Sequence, residues 1–305
     1  MGVKLVVAVT DSDWFEMLRQ RPDLSEVNFW SPAPRNFKAL ERGELFLFKL
    51  HAPHNFIVGG GIFAYSNKLP SSLAWDAFGE ANGARSLRQM RERIVKYRKD
   101  KADRREDFAI GCRILTKPAF FPKSEWIAVP PSWAPNIVSF KRYDTDESEG
   151  RWLWESVTDR IGRHGVADQA ILFDRHGKPQ LILPRRGQGE FRLLVTDIYR
   201  RRCAVTQERT LPALEAAHIR PYSDGGEHKP QNGLLLRRDI HRLFDTGYVT
   251  ITPDLNFEVS PRIRDEFENG RDYYSLHGRQ IATPHHPDLR PDPTALSWHN
   301  EHCFL

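Results

Sequence analysis

Residues 215–245 read EAAHIRPYSDGGEHKPQNGLLLRRDIHRLFD, and this stretch decides the fold of the C-terminal half of the chain. His218 ends a short apolar run that we expect to be a strand, and a polar loop with two adjacent glycines follows it. Asn232 opens a second apolar run. His241 and Asp245 then lie four residues apart on a predicted helix, so their side chains share one face. The pattern predicts two strands and a helix folded around one metal ion.

These residue types suit the hydrolysis of a phosphodiester, which needs an activated water, a Lewis acid and a stabilised leaving oxygen. We predict His218 as the general base, because imidazole titrates near neutral pH. Asn232 is predicted to stabilise the loop through hydrogen bonds that hold the backbone of His218 in place. His241 and Asp245 are the predicted ligands of a divalent ion. Three nearby cations are candidates for binding phosphate: Lys229, Arg238 and Arg242.

The segment resembles the HNH endonucleases of the ββα-metal superfamily. His218, Asn232 and His241 match the three signature residues of these enzymes, at separations of 14 and 9 residues. The resemblance covers about residues 185–250, and Trp298-His299 is similar to the closing segment of restriction-type members, so we assign residues 185–305 to this domain. The resemblance implies cleavage that depends on Mg²⁺ or Mn²⁺, with one metal ion per active site.

Two departures from the family pattern bear on the metal. Ala217 stands where many members place a metal-ligating Asp or His, immediately before the base. The second ligand is therefore open, and we prefer Asp245 to Glu215. Many relatives also carry paired cysteines for structural zinc, but Cys203 has no second cysteine nearby, so no structural zinc is expected.

Composition places the chain among soluble proteins that bind polyanions. Its 305 residues allow two domains, and 40% apolar and 28% charged residues are ordinary for globular proteins. The net charge of +5 and pI near 9.1 favour a nucleic-acid partner, with basic clusters at residues 91–105 and 185–202. No apolar run reaches 18 residues, so no membrane association is expected. Three scattered cysteines indicate a reducing compartment, and we expect a bacterial cytoplasm.

The first half of the chain predicts an α+β fold. Strands over residues 3–9, 44–50, 56–64, 109–115 and 126–129, with helices between them, indicate a small mixed β-barrel with flanking helices over residues 1–145. Glycines at the centre of the 56–64 strand indicate a bulge or a close approach by backbone or ligand. The acidic, polar stretch around residues 144–150 predicts a linker, with a helix and a hairpin, over residues 146–184.

Aromatic and polar residues of this half suggest a pocket for a flipped nucleobase, which proteins hold by stacking and by hydrogen bonds to its edge. The candidates for stacking are Trp30, Phe37, Tyr65 and Trp75, and those for the base edge are Ser31 and Asn82. Trp30-Ser31-Pro32, the glycine-rich strand and the strand order resemble the PUA superfamily, which includes the EVE and SRA readers of modified bases.

A PUA-like reader joined to an HNH domain resembles the modification-dependent restriction endonucleases of bacteria, which act in phage defence. The resemblance implies recognition of 5-methylcytosine or 5-hydroxymethylcytosine in double-stranded DNA by base flipping, followed by cleavage. Because each HNH site cuts one strand, a double-strand break implies a homodimer. Two alternatives stay open: a nicking endonuclease indifferent to modification, and an inactive nucleic-acid-binding protein, for which Ala217 is the warning sign.

Overall fold

The chain divides between residues 185 and 186, and each part has its own hydrophobic core. The structure is a computed structural model that describes residues 2–98, 107–164 and 187–305, without the side chains of 162–164. No helix in these described ranges is both long and apolar enough to cross a membrane. The hairpin predicted over residues 170–183, part of the basic cluster at 91–105, and Arg185 and Arg186 lie outside the described residues.

The first unit contains seven strands and four α-helices among its described residues. In chain order they are β1 (Lys4–Thr10), α1 (Ser12–Leu18), β2 (Glu26–Ser31), β3 (Leu45–Leu50), β4 (Phe56–Pro70), α2 (Ser71–Phe78), α3 (Leu87–Tyr97), β5 (Ala109–Phe120), β6 (Ile127–Ala128), β7 (Phe140–Asp144) and α4 (Ser148–His164).

One mixed sheet organises this unit. Its order is β2-β5-β4-β3-β1-β7, with β6 paired to β4, and β1 runs parallel to β3 while the other pairs are antiparallel. The sheet is a path whose ends, β2 and β7, do not pair with each other among the described residues. The mixed α+β layout is as predicted, but the closed barrel stays a prediction.

Both faces of the sheet are buried, which explains the continuous apolar runs in β1 and β3. Successive side chains of a strand point to opposite faces. Leu5 and Leu47 therefore join one core, and Val6 and Phe48 join the other. Helix α1 contributes Trp14, Phe15 and Leu18 to the second core.

The glycines of β4 serve the sheet itself. The register between β4 and β5 shifts between Gly60 and Ile62, which is a bulge. A Cβ on Gly59 would lie 2.3 Å from the carbonyl oxygen of Ala119 on β5. The close approach predicted from these glycines is thus an approach of neighbouring backbone, and not of a ligand.

The sequence break expected near residue 145 is not where the chain divides. β7 pairs with β1 up to Asp144, and α4 follows after a short turn. Leu153, Trp154 and Val157 of α4 are buried in the core beside β1 and β3. The polar residues around 144–150 form this turn, so the helix assigned to a linker belongs to the first unit, which extends to residue 185.

The second unit contains residues 215–245. Its elements are α5 (Gln188–Ile198), β8 (Leu214–His218), β9 (Gly233–Arg237), α6 (Arg238–Asp245), β10 (Val249–Ile251), β11 (Phe257–Val259), α7 (Arg262–Phe267), α8 (Arg271–Tyr274) and α9 (Pro293–His302). β8 pairs with β9, and β10 pairs with β11, both antiparallel. Their apolar side chains form one core with Phe191 of α5, Phe244 of α6 and Leu296 of α9.

Candidate active site

The predicted two strands and helix are present in the second unit. His218 at the end of β8 lies opposite Gly233 at the start of β9, and α6 begins directly after β9. Helix α5 packs against this hairpin so closely that a Cβ on Gly233 would lie 2.4 Å from a methyl carbon of Val195 and 3.0 Å from the Phe191 ring. The hairpin therefore brings His218 close to the helix that carries His241.

Asn232 ties together the two ends of the loop that joins β8 to β9. Its Oδ1 accepts a hydrogen bond from the backbone N–H of Arg220 (2.9 Å). Its Nδ2 donates to the carbonyl oxygens of Arg220 (2.9 Å) and Glu227 (3.0 Å). The backbone N–H of Ile219 also donates to the Asn232 carbonyl (2.9 Å). These bonds fix the backbone immediately after His218.

His218 is held as a neutral imidazole. The Phe191 ring stacks on it at a centroid distance of 4.0 Å, with 11° between the planes. Burial first, and then the nearby positive charges led by His228, lower the pKa of His218 to about 4. A neutral imidazole has one unprotonated nitrogen, which is what a general base requires.

His228 is the nearest polar partner of His218. Its Nδ1 lies 2.9 Å from Nε2 of His218, and one of the two nitrogens carries the shared proton. Tyr222, whose side chain is 63% exposed, stacks on the His228 ring at 4.9 Å. Burial lowers the pKa of His228 as well. The sequence pattern does not identify His228 or Tyr222, because both lie in a loop whose path the pattern does not fix.

His241 lies between two carboxylates. Its Nδ1 is 3.0 Å from Oε2 of Glu215, and its Nε2 is 3.3 Å from Oδ2 of Asp245. Burial would lower the pKa of His241, but the hydrogen bonds to Asp245 and Glu215 outweigh it and raise that pKa. Each ring nitrogen therefore has a carboxylate neighbour.

A cleft of about 340 Å³ brings His218 and one carboxylate together. Its lining includes His218, His241 and Asp245, and also Ala216 of β8, but not Glu215 or Ala217. The alternation of side chains along β8 places Ala216 with His218. The rest of the lining is Gln188, Arg192, Ile219, Pro221, Tyr222, Phe244, His299 and Cys303.

A second cleft, of about 290 Å³, lies in the first unit. Five aromatic rings line it, those of Trp14, Phe29, Trp30, His51 and Tyr97, and Val9, Thr10, Asp11, Pro32 and Val138 complete the walls. The Tyr97 hydroxyl donates to Oδ1 of Asp11 (2.5 Å), and Nε2 of His51 lies 3.7 Å from the same oxygen. Burial and the Asp11 carboxylate raise the pKa of Tyr97 to about 12, so its hydroxyl stays protonated.

Of the six residues predicted for a base pocket, Trp30 lines this cleft. Phe37 is buried in the core, and Asn82 is fully buried with its side chain bonded to Asn28 and to two backbone carbonyls. The Asn82 carbonyl in turn accepts a hydrogen bond from Nε1 of Trp30 (2.9 Å). The assignments of Phe37 and Asn82 to direct base contact are therefore corrected, and Asn82 supports Trp30 instead.

The three other predicted pocket residues lie elsewhere in the first unit. The Ser31 hydroxyl donates to the Ala33 carbonyl (3.0 Å), which closes a local turn. Tyr65 lies opposite Ile114 in the β4–β5 pairing, and Trp75 is half-buried on α2. None of these three side chains lines the cleft beside Trp30.

Comparison with known proteins identifies the family of one part of the second unit. Residues 203–252 match the model of a family described as HNH endonuclease. These residues form an HNH endonuclease domain. The match contains His218, Asn232 and His241 at the geometry described above. A comparison with curated proteins gave no match.

Two solved structures are similar to the chain at low identity. The ASCH protein from Zymomonas mobilis has a TM-score of 0.33 and 9% identity, over 49% of this chain and 94% of its own. The modification-dependent TagI restriction endonuclease has a TM-score of 0.28 and 14% identity, over 91% of this chain and 75% of its own.

The HNH family implies a divalent metal ion, and the donors of the cleft fit one. Imidazole and carboxylate together suit Mn²⁺, and Mg²⁺ commonly takes one or two carboxylates while water and substrate phosphate complete its shell. His241 and Asp245 are two such donors on one helix face. No group of three or more His, Cys, Asp or Glu side chains among the described residues forms a full cage. With water and substrate phosphate as further ligands, His241 and Asp245 would be the protein's donors to such an ion.

The predicted phosphate-binding residues differ in their surroundings. Lys229 pairs with Glu227, and Nε of Arg238 lies 3.1 Å from Oε1 of Glu215. Arg242 is exposed on α6. Arg192 of α5 lines the cleft itself and so places a positive charge at the site. The sequence pattern indicates Arg192 only as one member of the basic cluster at residues 185–202.

Proposed function

We propose that the protein is a modification-dependent restriction endonuclease that recognises modified cytosine in double-stranded DNA and hydrolyses the backbone at its HNH site. The observation that carries the nuclease part is the cleft in which neutral His218 faces His241 and Asp245. The reader part rests on the aromatic cleft around Trp30.

In the proposed reaction, His218 takes a proton from the attacking water. The stack on Phe191 and the fixed backbone at Asn232 keep the imidazole aimed into the cleft. Arg192 would bind the scissile phosphate or its neighbour. A divalent ion held by His241 and Asp245 would polarise the phosphate and stabilise the leaving oxygen when bound.

The aromatic cleft has the groups that a flipped cytosine needs. Trp30 and Tyr97 offer faces for stacking, which contributes about 1–3 kcal/mol per base. The Asp11 carboxylate can accept a hydrogen bond from the N4 amino group, which separates cytosine from thymine. We propose that this cleft takes a cytosine with a C5 modification, 5-methylcytosine or 5-hydroxymethylcytosine.

A double-strand break requires two HNH sites if each cuts one strand, and we propose that the active form is a homodimer. Sedimentation of the protein on a modified duplex would test this directly. A complex with one protein chain that still breaks both strands would contradict it.

The decisive experiment is a paired digestion of identical plasmids that carry cytosine, 5-methylcytosine or 5-hydroxymethylcytosine, with Mg²⁺ or Mn²⁺. The protein is compared with His218→Ala, which removes the base, and with Trp30→Ala, which removes one wall of the reader cleft. We expect cleavage of the modified plasmids alone, lost in His218→Ala. Equal cleavage of all three plasmids would leave a nuclease indifferent to modification, and binding without cleavage would indicate an inactive DNA-binding protein.

A further inference from the structure

Glu215 contacts the metal-ligating histidine of the proposed site from the side away from the cleft. Its Oε2 lies 3.0 Å from Nδ1 of His241, whereas Asp245 lies 3.3 Å from Nε2 on the other side of the ring. Asp245 lines the cleft with His218 and Glu215 does not. The two carboxylates beside His241 therefore occupy different places, since Asp245 lines the cleft at Nε2 and Glu215 contacts Nδ1 outside that lining.

This placement decides which nitrogen of His241 is available to a cation in the cleft. A neutral imidazole has one protonated nitrogen and one lone pair. A carboxylate that accepts the Nδ1 proton leaves the lone pair on Nε2, which faces Asp245 and the cleft. Metal-ligating histidines commonly donate their other N–H to a carboxylate in this way.

Arg238 holds the Glu215 carboxylate in position. Its Nε lies 3.1 Å from Oε1, so the two oxygens of Glu215 contact two residues of α6, three positions apart. Residues at this spacing share one face of a helix. The Glu215 carboxylate is thus oriented from both sides before any ligand arrives.

We infer that Glu215 is a positioning residue that fixes the Nδ1-protonated form of His241 and so presents its Nε2 to the divalent ion of the proposed nuclease site. The inference rests on the proposed function for its role in cleavage. It also assigns a role to a carboxylate on β8 that lies three residues before His218, although the family's usual ligand position is occupied by Ala217.

Three variants separate positioning from two competing roles. Glu215→Gln keeps an oxygen that can accept the Nδ1 proton, and Glu215→Ala removes it. Glu301→Ala is the matched control, since Glu301 is an exposed carboxylate of the same unit on α9. A direct metal ligand would lose its function in both Glu215 variants, whereas a positioning residue keeps it in the Gln variant.

The first readout needs no metal. Long-range ¹H–¹⁵N spectra of the histidine side chains in the full chain, at a pH where His241 is neutral, report which ring nitrogen carries the proton. We expect Nδ1–H in the unaltered protein and in Glu215→Gln, and a shift toward Nε2–H in Glu215→Ala. An unchanged proton position in Glu215→Ala would overturn the inference.

The second readout is Mn²⁺ binding, followed by electron paramagnetic resonance, with the Mn²⁺ dependence of cleavage measured alongside. Glu215→Ala should weaken Mn²⁺ binding about 10–100-fold, with cleavage recovering at high Mn²⁺, and Glu215→Gln should stay near the control. Equal losses in both Glu215 variants would identify a ligand and overturn positioning. If the unaltered protein cleaves no DNA, the proposed function fails, while the proton position at His241 still decides the inference.

Discussion

Nε2 of His218 lies 2.9 Å from Nδ1 of His228, across a loop that Asn232 closes. The two imidazoles share one proton, so His228 influences both the electrostatics of the proposed base and its access to water. The His228 ring is stacked on the ring of exposed Tyr222. The pair therefore connects the loop, which DNA would contact, with the group that would activate water.

The pH dependence of cleavage should reflect this pair. Because burial and the His228 charge lower the pKa of His218 to about 4, the base remains unprotonated well below pH 6. We expect the acid limb of kcat/KM, measured with saturating Mn²⁺, to fall well below the ordinary histidine value of 6.5. In a profile of kcat/KM, the midpoint of this limb gives the pKa of the titrating group in the free enzyme.

His228→Ala should move that limb to higher pH, since it removes a positive neighbour and admits water to the His218 ring. His286→Ala, which alters an exposed histidine of the same unit, is the control and should leave the limb in place. An identical limb in His228→Ala and the unaltered protein would contradict the assignment of His218 as the titrating base.

Asn232 should be essential for the shape of the loop. Asn232→Ala leaves the Arg220 N–H and two carbonyls without their partners, at a cost of about 1–3 kcal/mol for a buried group. Asn232→Asp keeps the acceptor for Arg220 N–H but loses both donated bonds, so it should be impaired as well. Hydrogen exchange of residues 219–231 would report the loosened loop, and cleavage should fall in parallel. Full protection with lost cleavage would instead indicate direct contact of Asn232 with DNA.

How far the sequence predicted this site depends on how local each contact is. The hairpin, its loop and α6 lie within residues 214–245, so spacing alone placed His218, Asn232 and His241 together. Glu215 lies in the same stretch, but its contact with His241 depends on how β8 packs on α6. No periodicity in the sequence predicts how the strand and the helix pack. The contact of His228 with His218 is not predictable either, because the position of His228 depends on the path of the loop.

The cleft around Trp30, which is the proposed base pocket, was harder to predict because distant segments of the chain build it. Asp11 follows β1, His51 follows β3, and Tyr97 ends α3. Their convergence is a property of the sheet order, in which β1 and β3 are neighbours, and the sequence pattern does not determine that order. Aromatic content alone predicts Phe37 as a stacking residue of the base pocket, but its side chain is packed in the hydrophobic core.

Trp30→Ala should weaken binding to modified DNA. Loss of one stacking surface corresponds to about 1–3 kcal/mol, or roughly 5- to 150-fold in Kd. Trp75→Ala is the matched control, because Trp75 is a half-buried tryptophan of the same unit that does not line the cleft. Fluorescence anisotropy with 5-methylcytosine and cytosine duplexes, in a His218→Ala background, separates binding from cleavage. Equal effects of the two substitutions would argue against this cleft as the reader.

His299 should make the HNH domain sensitive to acid. Its Nε2–H donates to the Phe244 carbonyl (3.1 Å) and its Nδ1 accepts from the Thr250 hydroxyl (2.8 Å), so both nitrogens are used by the neutral ring. Burial lowers the pKa of His299 to about 4, below the ordinary value of 6.5. Between pH 6.5 and 4, His299 is therefore protonated in the unfolded chain and neutral in the folded chain. The stabilisation is complete above pH 6.5 and is lost as pH falls toward 4.

The free energy of unfolding should fall by up to about 1.4 kcal/mol per pH unit in this window from His299 alone. Hydrogen exchange of β10 and α9 at pH 7, 6 and 5, corrected for intrinsic exchange rates, would measure it. His299→Gln can still donate to Phe244 through its amide but cannot titrate, so its stability should depend less on pH even if it is lower at pH 7. A variant with the same pH dependence as the unaltered protein would place the acid sensitivity elsewhere. Partly buried His218 would be the next residue to test, because its pKa is lowered in the same direction.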